Sequence, residues 1–126
     1  MRVHHLAFRT DSIETLARFY QHVVGLEPIG GQSGYSVWFR LGDAVLMVEQ
    51  RGVDEPEIPP QSREFLGFSV TTVERDVLRT RLHENGVVVE EESEYTTYFR
   101  DPDGRRLGAS HFDFSLGTLA IPPADE

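Results

Sequence analysis

Five histidines (His4, His5, His22, His83 and His111) and 21 carboxylates are the strong metal donors of this 126-residue sequence, which has no cysteine. Disulfides, thiolate metal sites and cysteine nucleophiles are therefore excluded, and any cation must be held by imidazole and carboxylate. His5 lies in an alternating stretch, Glu49 and His111 lie near the ends of two others, and these three form the fallback metal set. A second chemistry is binding without a metal. Trp38, Met47, Phe65 and Tyr98 would form an apolar floor for a flat organic molecule, with Arg9, Arg40 or Arg100 pairing with its carboxylate or phosphate and Ser69 beside them. The sequence contains no glycine-rich phosphate loop, nucleophile elbow or paired-cysteine motif, so kinase, hydrolase and thiol-redox chemistry find no support.

The elements that position these residues follow from periodicity. His4 to Arg9 alternates, so Leu6 and Phe8 face one side while His5, Ala7 and Arg9 face the other, the pattern of a half-buried strand. Asp11 and Glu14 have capping-box spacing, and Ile13, Leu16, Ala17, Tyr20 and Val24 then recur at helical spacing. This predicts a helix from near Ser12 to Gly25, with His22 on its polar side. Gly30 to Gly34 reads as a turn, after which Val37, Phe39 and Leu41 alternate and Gly42-Asp43 turns into Ala44–Gln50, giving hairpin strands.

The second half repeats this order. Shifted by sixty positions, Phe8 falls on Phe68, Ile13 on Val73, Glu14 on Glu74, Trp38 on Tyr98, Phe39 on Phe99 and Arg40 on Arg100. Phe65 to Val70 reads as a strand, and Thr71 with Glu74 as a capping box. Val73, Val77, Leu78 and Leu82 form the apolar stripe of a helix that ends at Asn85-Gly86 and carries His83 on its polar side. Strands are expected at Val87–Glu90, Tyr95–Arg100 and Arg106–Phe112, with Asp101-Pro102-Asp103-Gly104 as the turn before the last. Each half is a βαβββ unit. The expected fold class is α+β, two tandem βαβββ modules forming a curved mixed sheet around a cavity.

The boundaries expected are a first module at 1–51, a proline-rich acidic linker at 52–62, a second module at 63–116 and a frayed tail at 117–126, together one domain. With 39% hydrophobic and 26% charged residues the chain has a core and little disorder. The formal net charge of −9 argues against nucleic acid and anionic membranes as partners and suits a soluble protein. No apolar run reaches the roughly 20 residues of a membrane helix and no signal core follows a basic start, so a cytoplasmic location is expected.

The opening HHLAFRTDSIETLARFYQHVVGL and the later YFRDPDGRRLGAS resemble the vicinal-oxygen-chelate superfamily of glyoxalases, bleomycin resistance proteins and extradiol dioxygenases. In its metal-dependent members, a His on the first strand and a carboxylate on the last strand of each unit point into the cavity. The resemblance places these positions at His5, Met47, Phe65 and Gly108, so one ligand of four is kept. It therefore implies a protein that binds a small organic molecule without the usual metal and needs no cofactor. The alternatives are a lyase, isomerase or dioxygenase with a divalent metal in a rearranged site such as His5, Glu49 and His111, and a degenerate module acting through protein partners. A homodimer is expected, since closed symmetric pairs are the commonest assembly.

Overall fold

The computed structural model describes residues 1–116; the tail expected at 117–126 lies outside them. The first unit runs β1 (His5–Thr10), α1 (Ile13–Arg18), a π-helical segment (Phe19–Val24), β2 (Pro28–Gln32), β3 (Ser36–Leu41) and β4 (Ala44–Gln50). The second runs β5 (Phe65–Ser69), α2 (Thr72–Glu84), β6 (Glu91–Glu92), β7 (Thr96–Arg100) and β8 (Arg106–Ser110), followed by a short 3-10 turn at Phe114–Leu116. The strand orders are β1-β4-β3-β2 and β5-β8-β7-β6. In each sheet the first and last strands pair in parallel and the other pairs are antiparallel. The fold is α+β, two βαβββ modules with identical topology. Among the described residues no helix is long and apolar enough to cross a membrane.

Local chemistry explains most element boundaries and the departures from expectation. Ser12, rather than Asp11, caps α1 by accepting from the Thr15 amide, while Asp11 pairs with Arg51. The helix then widens. Leu16, Phe19, Tyr20 and Val23, at i, i+3, i+4 and i+7, form the buried face of this run, with Ile13, Ala17 and Val24 of the expected stripe only partly buried beside them, and Phe19–Val24 winds as a π-helix where the periodicity predicts an α-helix. Gly25 ends it in the left-handed region, as the sequence predicts (φ 91°). On α2 the Thr71/Glu74 capping box forms with both of its hydrogen bonds. Its predicted stripe is only half right, since Val73 and Val77 are exposed and Arg75 is buried with Leu78 and Leu82.

Two strands differ from the periodic reading. The glycine stretch read as a turn contributes β2, because Gly31 lets the backbone pack against β3 where a Cβ would stand 2.3 Å from the Ser36 carbonyl oxygen. In the second unit the predicted strand at 87–90 is displaced to Glu91–Glu92. Val87 and Val89 pack on the core instead, and pairing begins only where the Glu90 amide meets Tyr98 O.

The backs of both sheets meet in one apolar core. Phe39, Leu46 and Val48 of the first sheet and Phe99, Leu107 and Ala109 of the second join Leu16, Phe19, Tyr20, Leu78 and Leu82. Polar ties reinforce the junction. The Tyr20 hydroxyl donates to Asp101 Oδ2 at 2.7 Å, Arg105 stacks 4.6 Å over Phe8, and Arg81 donates to the carbonyls of Val23 and Val24 at 2.8 and 3.1 Å. Because both backs turn toward this shared core, the two front faces point away from it.

Candidate ligand-binding site

The ladders place the front faces where alternation puts them. On the first sheet His5, Ala7 and Arg9 stand beside Val45, Met47 and Glu49, which in turn face Arg40, Trp38 and Ser36 on β3. Glu49 shares the face of Met47, two residues further along β4. On the second sheet Phe65, Gly67 and Ser69 stand beside Arg106, Gly108 and Ser110, which face Arg100, Tyr98 and Thr96. Trp38 and Tyr98 occupy the same place in their respective sheets. A recess of about 620 Å³ is bordered by Arg40 of the first front face and by Gly67 and Ser69 of the second, while two others draw on the second front face alone.

The four ligand positions implied by the family do not form a metal centre. The Phe65 ring lies across the second sheet in the room two ligands would need: a Cβ on Gly108 would stand 3.1 Å from its Cε2, and one on Gly67 3.4 Å from the same atom. Any carboxylate side chain at 108 meets this ring. His5 is exposed, with its Nδ1 2.9 Å from Nδ1 of His4. The fallback trio is also scattered. Glu49 is bound by Arg9 at 3.1 Å, and His111 lies toward the helical side, 3.2 Å from Arg75 Nη1 and edge-on to Tyr95. Among the described residues no three His, Asp or Glu side chains gather closely enough to share a cation. The residues present do not fit the family's divalent metal.

The arginines expected to meet an anionic ligand already have carboxylate partners. Arg9 binds Glu55 through both Nε and Nη2, Glu49 through Nη1, and the Tyr35 hydroxyl at 3.0 Å. Glu55 belongs to the 52–62 segment, which therefore folds onto the edge of the first front face. Its hydrogen bonds from Arg9 and from the Gly52 amide hold the carboxyl down to about 2. Arg40 pairs with Glu27 at 3.1 Å, and Arg100 with Glu90 at 2.9 Å and with the carbonyls of Ser62 and Gly104. Nothing in a strand pattern signals the role of Glu55, since its segment has no hydrophobic period.

Several contributors were outside the sequence-derived site. Arg106, 5% exposed, lays its guanidinium 4.0 Å from the Tyr98 ring centroid and 5.5 Å from that of Phe65, and binds Glu91 at 2.8 Å and Glu90 at 3.4 Å. Its alternation with Gly108 and Ser110 is the signal that finds it. Phe65 meets Tyr98 edge-on, with centroids 5.1 Å apart. Beside this pair opens a recess of about 490 Å³, bordered by Ser69 and Ser110 and by Phe112 and Phe114 from the segment after β8. On the other sheet Trp38 is half-buried, its indole Nε1 shielded and without a hydrogen-bond partner.

The chain belongs to the Glyoxalase/Bleomycin resistance protein/Dioxygenase superfamily, which matches residues 2–108. A search of curated protein sequences finds no match. Among solved structures, it is similar to the fosfomycin resistance protein FosX of Mesorhizobium loti (TM-score 0.74, 16% identity, covering 90% of this chain and 94% of that one). It is also similar to a possible glyoxalase of Bacillus cereus (0.71, 23%, 87% and 98%) and to a lactoylglutathione lyase of Agrobacterium tumefaciens (0.67, 22%, 86% and 91%). At these identities the likeness is one of fold.

Proposed function

We propose that this protein binds a small organic molecule on the front faces of its sheets without a protein-held metal, as a cytoplasmic homodimer. The observation that carries the reading is the Phe65 ring packed over Gly108 and Gly67, which puts carbon where metal-binding relatives need donors and leaves an aromatic-walled recess beside it. Its volume of about 490 Å³ suits a small organic ligand. The homodimer is supported by the outward direction of both front faces: a second copy would cover one chain's Trp38 face with its partner's recess face, and closed two-fold pairs are the commonest way to bury such surfaces. Retention of His5 favours a second reading, a metal-dependent lyase, isomerase or dioxygenase whose remaining ligands come from substrate and water.

A ligand screen tests the proposal. A library of small aromatic acids, amides and amines is titrated against the protein while Trp38 fluorescence and the melting temperature are followed. At least one compound should give a saturable response without added metal, and Trp38→Ala, followed by melting temperature because it lacks the reporter, should keep the fold while weakening binding by roughly 1 to 3 kcal/mol through lost contact area. Responses that occur only after divalent metal is added would favour the second reading.

A further inference from the structure

We infer that the recess of about 620 Å³ between α2 and the edge of β5 is a second binding site, for a small monocarboxylate with an apolar tail, and that Arg81 holds the carboxylate. This site goes beyond the front-face binding proposed above and does not depend on it.

The recess exists because the two junctions between the modules are closed differently. Under the sixty-residue shift, β5 and α2 correspond to β1 and the first helix, and the turn after β7 corresponds to the turn after β3. At the first junction the turn at 101–105 reaches across to the other module. Asp101 accepts from the Tyr20 hydroxyl, and Arg105 stacks over Phe8. At the second junction the turn is only Gly42-Asp43. The positions equivalent to Tyr20 and Asp101 are Thr80 and Leu41, and the Thr80 hydroxyl turns back to the Asp76 carbonyl at 3.2 Å. The position equivalent to Arg105 is Val45, which lies within β4, so Phe68, the counterpart of Phe8, borders an open space.

The walls of that space are apolar. Leu66, Phe68 and Val70 of β5 are half-buried, and Val73 and Val77 of α2 are 69% and 46% exposed. Apolar side chains left uncovered around a concave space mark a place where something binds, and the volume falls in the range of small-molecule sites.

Three charged residues border the recess, and their partners differ. Arg40 is paired with Glu27 at 3.1 Å, and Glu74 accepts from the Thr71 amide at 2.9 Å at the positive end of α2. Arg81, about two turns further along the helix, is half-buried and meets only carbonyls. Its Nε and Nη2 donate to Val23 and Val24; among the described residues it has no carboxylate partner and its Nη1 makes no hydrogen bond. A carboxylate arriving from the recess gives this guanidinium a charge-assisted bond in a partly desolvated setting. The tail of a ligand held there runs back along Val77 and Val73 toward Glu74, whose charge disfavours a second carboxylate.

Calorimetry on the full-length protein with three probes of one chain length decides it: octanoate, 1-octanol and octanedioate. Octanoate should bind saturably and about tenfold or more tighter than either of the others, as expected for one charge-assisted hydrogen bond. Val77→Glu, at an exposed position, supplies Arg81 with a carboxylate at i,i+4 spacing, so it should abolish octanoate binding while leaving the melting temperature unchanged. Arg81→Gln should erase the preference for octanoate over 1-octanol. If that variant does not fold, because Arg81 also ties α2 to the π-helical segment, Val77→Glu still decides. Glu74→Gln, which keeps a capping side chain, should narrow the gap between octanedioate and octanoate. Equal binding of octanoate and 1-octanol, no binding of octanoate, or octanoate binding retained in Val77→Glu overturns the inference. A dimer that Val77→Glu splits into monomers would assign the recess to a second copy and overturn it as well. The front-face binding proposed above is unaffected by each of these outcomes.

Discussion

At residue scale the decisive contact is one ring on two glycines. Gly108 has ordinary backbone angles, so replacing it adds only a side chain that meets Phe65 and the Thr96 methyl at 3.1 and 3.3 Å. Gly108→Ala should cost about 1 kcal/mol through overpacking, and the cost should largely disappear in a Phe65→Ala background, as read from denaturant melts of the four proteins in a double-mutant cycle. Additive losses would show that the ring does not press on position 108. This scale was partly legible beforehand. Alternation put His5, Trp38, Met47, Phe65 and Tyr98 on the front faces, where the ladders place them. It did not reveal that Arg9, Arg40 and Arg100 are committed to Glu55, Glu27 and Glu90, because a pairing between distant segments leaves no trace in strand periodicity.

At the scale of elements, packing between the modules overrode simple periodicity. The π-helical segment is fastened by Arg81, which reaches the carbonyls of Val23 and Val24 from α2, and by Gly25, where a Cβ would stand 2.8 Å from that guanidinium. Tyr20, in the same segment, donates to the buried Asp101 of the DPDG turn. Tyr20→Phe should cost about 1 to 2 kcal/mol by removing this bond. Burial first, and the Asp101 charge second, push the Tyr20 phenol well above its ordinary value of 10. The stability that this shift represents is present below pH 10 and is lost as pH rises through the folded-state value. Melting temperatures of wild type and Tyr20→Phe should therefore converge in strong alkali, whereas a constant gap would deny the titration. The 52–58 segment has the opposite sign. With Glu55 lowered from 4.5 to about 2, its hold on Arg9 is full above the ordinary carboxylate range and is lost as pH falls toward 2. Amide protection there, the exchange rate relative to the unfolded chain at the same pH, should fall over that window in wild type and be low at every pH in Glu55→Gln. Unchanged exchange in the variant would show that the ion pair does not hold the segment.

At the scale of the molecule, the repeat at sixty residues and the DPDG turn were enough to reveal two βαβββ modules, since each unit's strand order follows from the same short connections. Which way the sheets face was not legible, because front and back alternate identically whether the modules close on each other or share a core. The shared core, from Phe39 to Phe99, leaves both front faces outward, and sedimentation at micromolar concentration should therefore show a dimer; a monomer under those conditions would count against pairing of front faces. The most direct measurement of the central claim is elemental analysis of protein purified without chelator and then dialysed against zinc, iron, manganese and nickel salts. With Phe65 over Gly108 and only His5 retained, the account predicts no stoichiometric metal. About one metal ion per chain, lost on His5→Ala, would contradict it.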